Sequence, residues 1–159
     1  MGKALESIEK YIEDLENFEL PDFQDLPNIP LYMEQVVGYV SEVLGVLNKQ
    51  KDLNITPFMI NNYVKAKIIE APVEKKYNRR QIGYLIAISL MKSVVSMRDL
   101  ATFIDLDKIN GSDKDSLYAF FKKMEDESLH NIVHKVQIRN EVLKMLKKQK
   151  SKNKVTLLI

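Results

Sequence analysis

Cysteine is absent from the 159 residues, and glycine and proline number only five each. The absence of cysteine excludes disulfides, thiolate zinc sites, iron–sulfur clusters and thiol nucleophiles, and it is typical of a cytoplasmic protein. Hydrophobic residues make up 45% and charged residues 29% of the chain. This average balance, with so little glycine and proline, argues against disordered and fibrous classes and predicts one main globular domain.

Long hydrophobic runs are missing as well. The longest nearly apolar run covers residues 84–91, which is about half the length that a bilayer crossing needs. The N-terminal region is acidic, whereas an export signal begins with basic residues and continues with an apolar stretch. The sequence therefore predicts no membrane partner and no export.

Motifs of the common enzyme classes are also lacking: the chain has no P-loop, no GxGxxG and no nucleophile elbow. We therefore expect no enzymatic activity and no cofactor. His130 and His134 lie four residues apart, with Glu127 one turn earlier. Because two histidines supply too few ligands for a metal, we expect these side chains to be exposed or structural.

Charge is distributed unevenly along the chain. Residues 1–48 carry two lysines and ten acidic residues, whereas residues 49–98 carry ten basic and three acidic residues. A local excess of positive charge is typical of a surface that binds a polyanion. The alternative is that the lysines only solvate one face of a helical protein.

Hydrophobic periodicity predicts a mainly α-helical chain. Three prolines, Pro21, Pro27 and Pro30, predict an extended linker between the first two helices. The last helix contains a polar stretch at residues 125–128 that predicts a break. The predicted helices cover residues 4–18, 31–47, 56–67, 78–95, 96–104 and 114–150.

Capping signals mark where four of these helices begin. Thr56 precedes a proline, which suits the first helical position because that residue needs no amide hydrogen. Capping boxes are predicted at three further starts, by the pairs Asn78 with Gln81, Ser96 with Asp99, and Ser112 with Asp115.

A short hairpin is predicted between the third and fourth helices. Ile68 and Ile69 are β-branched, Pro72 follows in a turn, and residues 75–77 resume an extended pattern. The order of helix, loop, helix, hairpin and buried helix is that of a winged helix-turn-helix. In such a fold the second helix enters the major groove of DNA and the wing contacts the phosphates.

The stretch ITPFMINNYVKAKIIEAPVEKKYNRRQIGYLIAISLMKSVVSMRDLATFI resembles the DNA-binding half of the MerR regulators. Asn61, Asn62 and Lys67 depart from the MerR pattern, which has arginine, tyrosine and glycine at these positions. Residues 24–105 also resemble the YkrK-like family of bacterial proteins of unknown function, which implies a cytosolic bacterial protein. The positions that match the MerR pattern are Tyr63, Ile68, Ile69, Pro72, Tyr77 and Asn78.

The predicted fold is therefore mainly α, a MerR-like winged helix-turn-helix with a small β-hairpin wing and extra N- and C-terminal helices. Its expected parts are an N-terminal helix and linker (residues 1–28), a DNA-binding domain (residues 29–108) and a C-terminal helical region with a basic tail (residues 109–159).

The predicted recognition helix has two different sides. Ile60 and Val64 share one side, while Phe58, Asn61, Asn62 and Lys65 share the other. Asparagine can pair with adenine, lysine with guanine or phosphate, and phenylalanine with the methyl group of thymine. Alternatively, Phe58 belongs to the core and the asparagines are merely solvated.

Basic residues of the wing and of the following helix start are expected to contact phosphate. The full set of predicted DNA-binding residues is Thr56, Phe58, Asn61, Asn62, Tyr63, Lys65, Lys75, Lys76, Tyr77, Arg79 and Arg80.

Two functions remain open from the sequence. The first is a transcriptional regulator that binds double-stranded DNA through residues 56–80, with recognition helix 56–67 and wing 68–80. The second is a helical module that binds another protein, through its acidic N-terminal helix. The surface around Asn61 discriminates them, since it is basic and open in the first case but apolar and covered in the second. No effector is identifiable from the sequence.

A homodimer is expected through the C-terminal helical region, because winged-helix regulators gain affinity from two-fold symmetry. Alternatively, the same helix folds back on its own chain and completes a monomeric core. The apolar stripe that leads to this expectation comprises Leu129, Ile132, Val133, Val136 and Leu143.

Overall fold

The computed structural model describes residues 2–49, 53–92, 95–110 and 116–157, which are mainly helical and include a small antiparallel sheet of two strands. The sequence prediction of a mainly α chain is thus confirmed. The helices are α1 (Gly2–Glu16), α2 (Met33–Leu44), α3 (Pro57–Lys65), α4 (Arg79–Met91), α5 (Met97–Asn110) and α6 (Ser116–Leu157). The strands are β1 (Leu31–Tyr32) and β2 (Lys76–Tyr77).

The chain divides into two compact units. The larger unit is Phe18–Glu125, and the smaller unit combines Met1–Asn17 with Asp126–Ile159. The domain boundaries expected from the sequence, after residues 28 and 108, both fall inside the larger unit.

The core of the larger unit is built around α2 and α4. Val36, Val40 and Leu44 of α2 are fully buried and follow one another at four-residue spacing, which places them on one face. In α4 every residue from Gln81 to Ser89 is buried. A helix that is apolar on nearly all sides must be central, so the sequence prediction of a buried helix here is confirmed.

The sheet differs from the predicted hairpin. Leu31 pairs with Tyr77 and Tyr32 pairs with Lys76, so β2 is joined to a strand far upstream and not to residues 68–69. The predicted pairing was wrong because those two residues are occupied at the end of α3. The amides of Ile68 and Ile69 both donate to the carbonyl of Tyr63, at 2.9 and 3.3 Å.

The end of α3 comes two residues earlier than predicted. Lys67 has a φ of 59°, in the left-handed region that ends helices. A hydrogen bond from its amide to the carbonyl of Val64 (3.0 Å) closes the last turn. The chain therefore reverses at the position where the MerR pattern has glycine.

Residues 18–26, which we call the N-terminal strap, are a packed segment and not a free linker. Leu20 and Leu26 are 1% and 2% exposed. The Tyr118 hydroxyl of α6 donates to the carbonyl of Pro21 at 2.7 Å. The Lys122 ammonium of α6 adds ion pairs with the carboxylates of Glu19 and Asp22, at 3.3 and 3.6 Å. The prolines thus exclude an α-helix here, although Phe23–Asp25 form one turn of 3-10 helix, and they do not exclude a fixed position.

Local capping signals were predicted well. The Thr56 hydroxyl accepts from the amide of Met59 at 3.2 Å. Asn78 and Gln81 form the predicted capping box, and the Ser96 hydroxyl accepts from the amide of Asp99. The pair predicted at residues 112 and 115 lies outside the described residues.

The last two helices are longer than predicted. α5 continues beyond residue 104 to Asn110, because Leu100, Ile104 and Asp107 extend one buried face along it. α6 shows no break at residues 125–128. Polar residues in that stretch are compatible with a helix because an exposed helical face does not need apolar side chains.

The smaller unit pairs α1 with the distal part of α6. Leu15, Leu129 and Val133 are buried in it, at 9%, 8% and 4% exposure. The Gln137 side chain donates to the Glu16 carboxylate at 3.2 Å. Of the apolar stripe predicted for dimerisation, Leu129 and Val133 are therefore buried within the chain itself, while the side chains of Ile132 and Val136 lie outside what the structure describes.

Candidate nucleic-acid interface

One side of α3 is open to solvent. Phe58 is 73% exposed, and Asn61, Asn62 and Lys65 are exposed as well. On the opposite side Ile60 is fully buried. Within the part of the chain that the structure describes, neither asparagine side chain has a hydrogen-bond partner. The alternative that Phe58 belongs to the core is contradicted by its exposure.

Three of the predicted DNA-binding residues support this surface without forming it. Tyr63 and Tyr77 are only 5% and 2% exposed, so they are core residues and not contact residues. Burial raises the pKa of both phenols above their usual value. Thr56 is exposed, but its hydroxyl is used as the cap of α3.

Residues 73–76, the wing turn, form a tight reversal immediately before β2. The amide of Val73 donates to the carbonyl of Lys76 at 3.1 Å, and the amide of Lys76 donates to the carbonyl of Val73 at 2.9 Å. The two central residues, Glu74 and Lys75, have φ values of 52° and 65°, as in a type I′ turn. Asparagine and glycine are the usual residues there, so this turn presents an exposed lysine at a conformational cost.

Lys76 is held against an aromatic ring. Its Nζ lies 5.0 Å from the centroid of Tyr32, the residue directly opposite it in the sheet. A cation over a ring face is attracted by the ring quadrupole. Tyr32 belongs to β1, which was not predicted as a strand, and its ring orients Lys76, one of the residues expected to contact phosphate.

Arg79 rests on the N-terminal strap. Its guanidinium lies 5.8 Å from the Phe23 ring centroid, and its Nη1 donates to the side-chain oxygen of Gln24 at 3.5 Å. Its Nε is buried and has no hydrogen-bond partner. The side chain is half-buried and oriented by the ring, which leaves donors for a ligand.

Arg80 is oriented by a buried tyrosine. Its Nε donates to the Tyr84 hydroxyl at 3.0 Å, and its guanidinium lies 5.5 Å from the same ring. That hydroxyl donates in turn to the Asp107 carboxylate of α5 at 2.6 Å. Burial, followed by the hydrogen bond to Asp107, raises the pKa of Tyr84 to about 12.

Gln81 ties the segment before the wing turn to α4. Its side-chain nitrogen donates to the carbonyls of Glu70 and Ala71, at 2.9 and 3.3 Å. Its side-chain oxygen accepts from the amide of Asn78 at 2.7 Å. This buried amide is thus satisfied on both sides, and it fixes the path of the chain leading into the wing turn.

Positive charge is unpaired across this region. Among the described residues, no carboxylate lies within ion-pair distance of the five predicted cations. Glu70 and Glu74 are the only acidic residues between positions 56 and 80. We call the predicted cations together the basic surface: Lys65, Lys75, Lys76, Arg79 and Arg80.

Several contributors to this region were missed by sequence reasoning. Lys67 is exposed at the reversal after α3 and adds a further cation. Tyr32 and Phe23, the rings under Lys76 and Arg79, lie in segments with no local signal for such a role. Only the three-dimensional fold brings these aromatic residues to the cations.

Other site types receive no support from the described residues. In residues 2–49, 53–92, 95–110 and 116–157, no group of three or more His, Asp or Glu side chains is placed to hold a metal ion. Within the same ranges, none of the helices combines the length and apolar character needed to span a membrane.

A family profile described as a domain of unknown function, DUF1836, matches residues 21–124. These bounds nearly coincide with the larger compact unit. No curated protein and no solved structure matches the chain.

Proposed function

The chain belongs to the DUF1836 family, and we propose that its larger unit is a winged helix-turn-helix domain, related to the MerR type, that binds double-stranded DNA as a transcriptional regulator. In this proposal α3 enters the major groove and the basic surface contacts phosphates on either side. The protein acts as a binding module and not as an enzyme.

One observation carries the proposal: the open polar face of α3 is followed, within fifteen residues of Lys65, by cations that have no ion pair, three of which lie against aromatic rings. Base readout requires free side-chain donors and acceptors on a helix, which Asn61 and Asn62 supply. Phosphate contacts require cations that are not already neutralised, which Arg79 and Arg80 supply. Prior orientation by rings lowers the entropy that these long side chains lose on binding.

Protein binding is the competing function, and two exposed apolar side chains favour it. Phe58 and Val73 are 73% and 75% exposed, and apolar residues at the centre of a surface are typical of protein interfaces. The lysines of the basic surface favour DNA, because lysine is depleted at protein–protein interfaces and enriched on surfaces that contact phosphates.

The salt dependence of duplex binding tests the proposal. We expect the full chain to bind a labelled duplex, with an affinity that falls steeply as salt rises. The double variant Arg79→Ala/Arg80→Ala should weaken binding to all duplexes and flatten the slope of log K against log salt by about 1 to 2. Fluorescence anisotropy at several salt concentrations measures both quantities.

Two matched variants serve as controls. Lys3→Ala/Lys10→Ala removes the same charge from α1 and should leave the slope unchanged. Arg79→Lys/Arg80→Lys retains the charge and should retain the slope, although it loses part of the orientation by Phe23 and Tyr84. Absence of duplex binding by the full chain, or an unchanged slope in the alanine variant, would overturn the proposal.

A further inference from the structure

We infer that the exposed face of α3 reads A·T base pairs. This inference rests on the proposed DNA binding and specifies which sequences the site prefers. It follows from the chemistry of four side chains that share one stripe: Phe58, Asn61, Asn62 and Lys65.

The two asparagines supply the adenine contact. In the major groove adenine presents an acceptor at N7 and a donor at N6, and a side-chain amide can satisfy both at once. Asn61 and Asn62 are exposed and have no partner among the described residues, so neither amide must break a protein hydrogen bond to bind a base.

Phe58 supplies the thymine contact. A phenylalanine that is 73% exposed on a helix adds nothing to the core, and its ring is the only large apolar group on this stripe. Thymine is the one base with an apolar group in the major groove, its C5-methyl. The Phe58 ring can therefore make an apolar contact with the thymine methyl group. A G·C pair has no apolar group in the major groove for such a contact.

Guanine recognition is poorly provided for on the same face. The commonest guanine contact is a bidentate arginine, and the α3 sequence PFMINNYVK contains no arginine. Lys65, in the last turn, can reach a guanine or a phosphate. From Phe58 to Lys65 the helix rises by about 10 Å, which spans about three base pairs.

Modified duplexes test the two base contacts separately. A preferred site is first selected from random duplexes with the full chain, and we expect its core to contain A·T pairs. Replacing thymine by deoxyuridine removes only the methyl group and should weaken binding about three- to ten-fold. Replacing adenine by 7-deazaadenine removes the N7 acceptor and should weaken binding about ten-fold.

Protein variants assign each effect to a side chain. In Phe58→Ala the difference between thymine and deoxyuridine should disappear, while Val73→Ala, which truncates an equally exposed apolar residue of the wing turn, should retain it. In the double variant Asn61→Ala/Asn62→Ala the 7-deazaadenine effect should disappear, while Asn131→Ala on α6 should retain it.

The outcomes separate the inference from the proposed function. Selection of G·C-rich cores, or equal binding of thymine and deoxyuridine duplexes by the unmodified protein, overturns A·T readout while leaving DNA binding intact. No duplex binding at any salt concentration overturns both. Because the substituted side chains are exposed, circular dichroism should show unchanged folding in each variant.

Discussion

Tyr84 links the interior of the larger unit to its surface. Its hydroxyl donates to Asp107 and accepts from Arg80, so one buried group joins α5 to a cation of the basic surface. A phenol is suited to this position because it donates and accepts at the same oxygen. The residue therefore acts as a positioning residue for Arg80 as well as a core residue.

The raised pKa of Tyr84 predicts a loss of stability in alkaline solution. An unfolded tyrosine ionises near pH 10, whereas Tyr84 in the folded protein ionises at about 12. The unfolded state therefore releases its proton first as the pH rises, and this contribution to stability, up to about 3 kcal/mol, is present below pH 10 and lost between pH 10 and 12.

Urea titrations across this pH range measure the loss. Tyr84→Phe lacks the ionisable group, so its unfolding free energy should fall less steeply over the same interval than that of the unmodified protein. Parallel declines in the two proteins would show that Tyr84 does not contribute.

Gln81 allows a comparison between two glutamines in the same capping position. Gln81→Glu retains the bond to the amide of Asn78 but cannot donate to the carbonyls of Glu70 and Ala71. We expect it to lower the unfolding free energy by about 1 to 3 kcal/mol, because buried acceptors lose their donor.

The matched control is Gln35→Glu. Gln35 accepts from the amide of Tyr32 at 2.9 Å and is exposed, so glutamate there should be neutral or slightly stabilising near a helix N-terminus. Denaturant titration compares the two variants. Equal losses of unfolding free energy in the two variants would show that the hydrogen bonds from Gln81 to the carbonyls of Glu70 and Ala71 do not contribute to stability.

Residue-level features were predictable to different degrees. The caps at Thr56 and Asn78 were predicted because a cap bonds to its own next turn, and the sequence contains both partners. The polar face of α3 was predicted from helical periodicity alone. The ring under Arg79 was not, because Phe23 lies 56 positions earlier and no local pattern connects the two.

At the scale of elements, the wing turn combines an unfavourable backbone with a basic side chain. Glu74 and Lys75 both adopt left-handed φ values, which asparagine and glycine adopt at lower cost. The double variant Glu74→Asn/Lys75→Gly should therefore raise the unfolding free energy by about 1 to 2 kcal/mol. Thermal and urea unfolding measure this gain.

The same variant should bind duplexes less well, because it removes one cation of the basic surface and lowers the salt slope by about 1. Glu74→Asn alone separates the effects, since it relieves part of the backbone cost and keeps Lys75. A double variant that is more stable and binds with undiminished affinity would show that Lys75 does not contact phosphate.

The sheet was the element that sequence reasoning paired wrongly. The predicted hairpin used the nearest β-branched residues, Ile68 and Ile69, because local pairing is the simplest interpretation of a short extended stretch. Their amides are instead used to end α3. The true partner, Leu31–Tyr32, consists of two residues at the start of a helical pattern, which is too short to produce a strand signal.

At the scale of the whole molecule, we propose that the smaller unit forms a homodimer through α6. The distal part of this helix exposes Ile138, Val142 and Met145 on one face, at 51%, 48% and 69%, with Leu146 beside them at 52%. Clustered apolar exposure of this kind is typical of interaction sites. The earlier stripe supplies Leu129 and Val133 to the chain's own core, so the proposed contact lies further along the helix.

A pair of substitutions two residues apart tests the dimer. Val142→Glu places a charge in the proposed contact and should shift the protein towards monomers, whereas Asn140→Glu makes the same charge change on the other side of α6 and should not. Light scattering and sedimentation at micromolar protein measure the masses. A monomeric unmodified protein, or equal behaviour of the two variants, would contradict the proposal.

The pairing of β1 with β2 also sets an order of events in folding. Leu31 and Tyr77 are 46 positions apart, so their contact closes a long loop whose entropy must be overcome before the sheet contributes any stability. The helices between them form through local contacts and on shorter timescales. We therefore expect α3 to be helical before β2 is paired with β1, and refolding followed by hydrogen exchange should protect the amides of α3 earlier than that of Tyr77, the residue paired with Leu31.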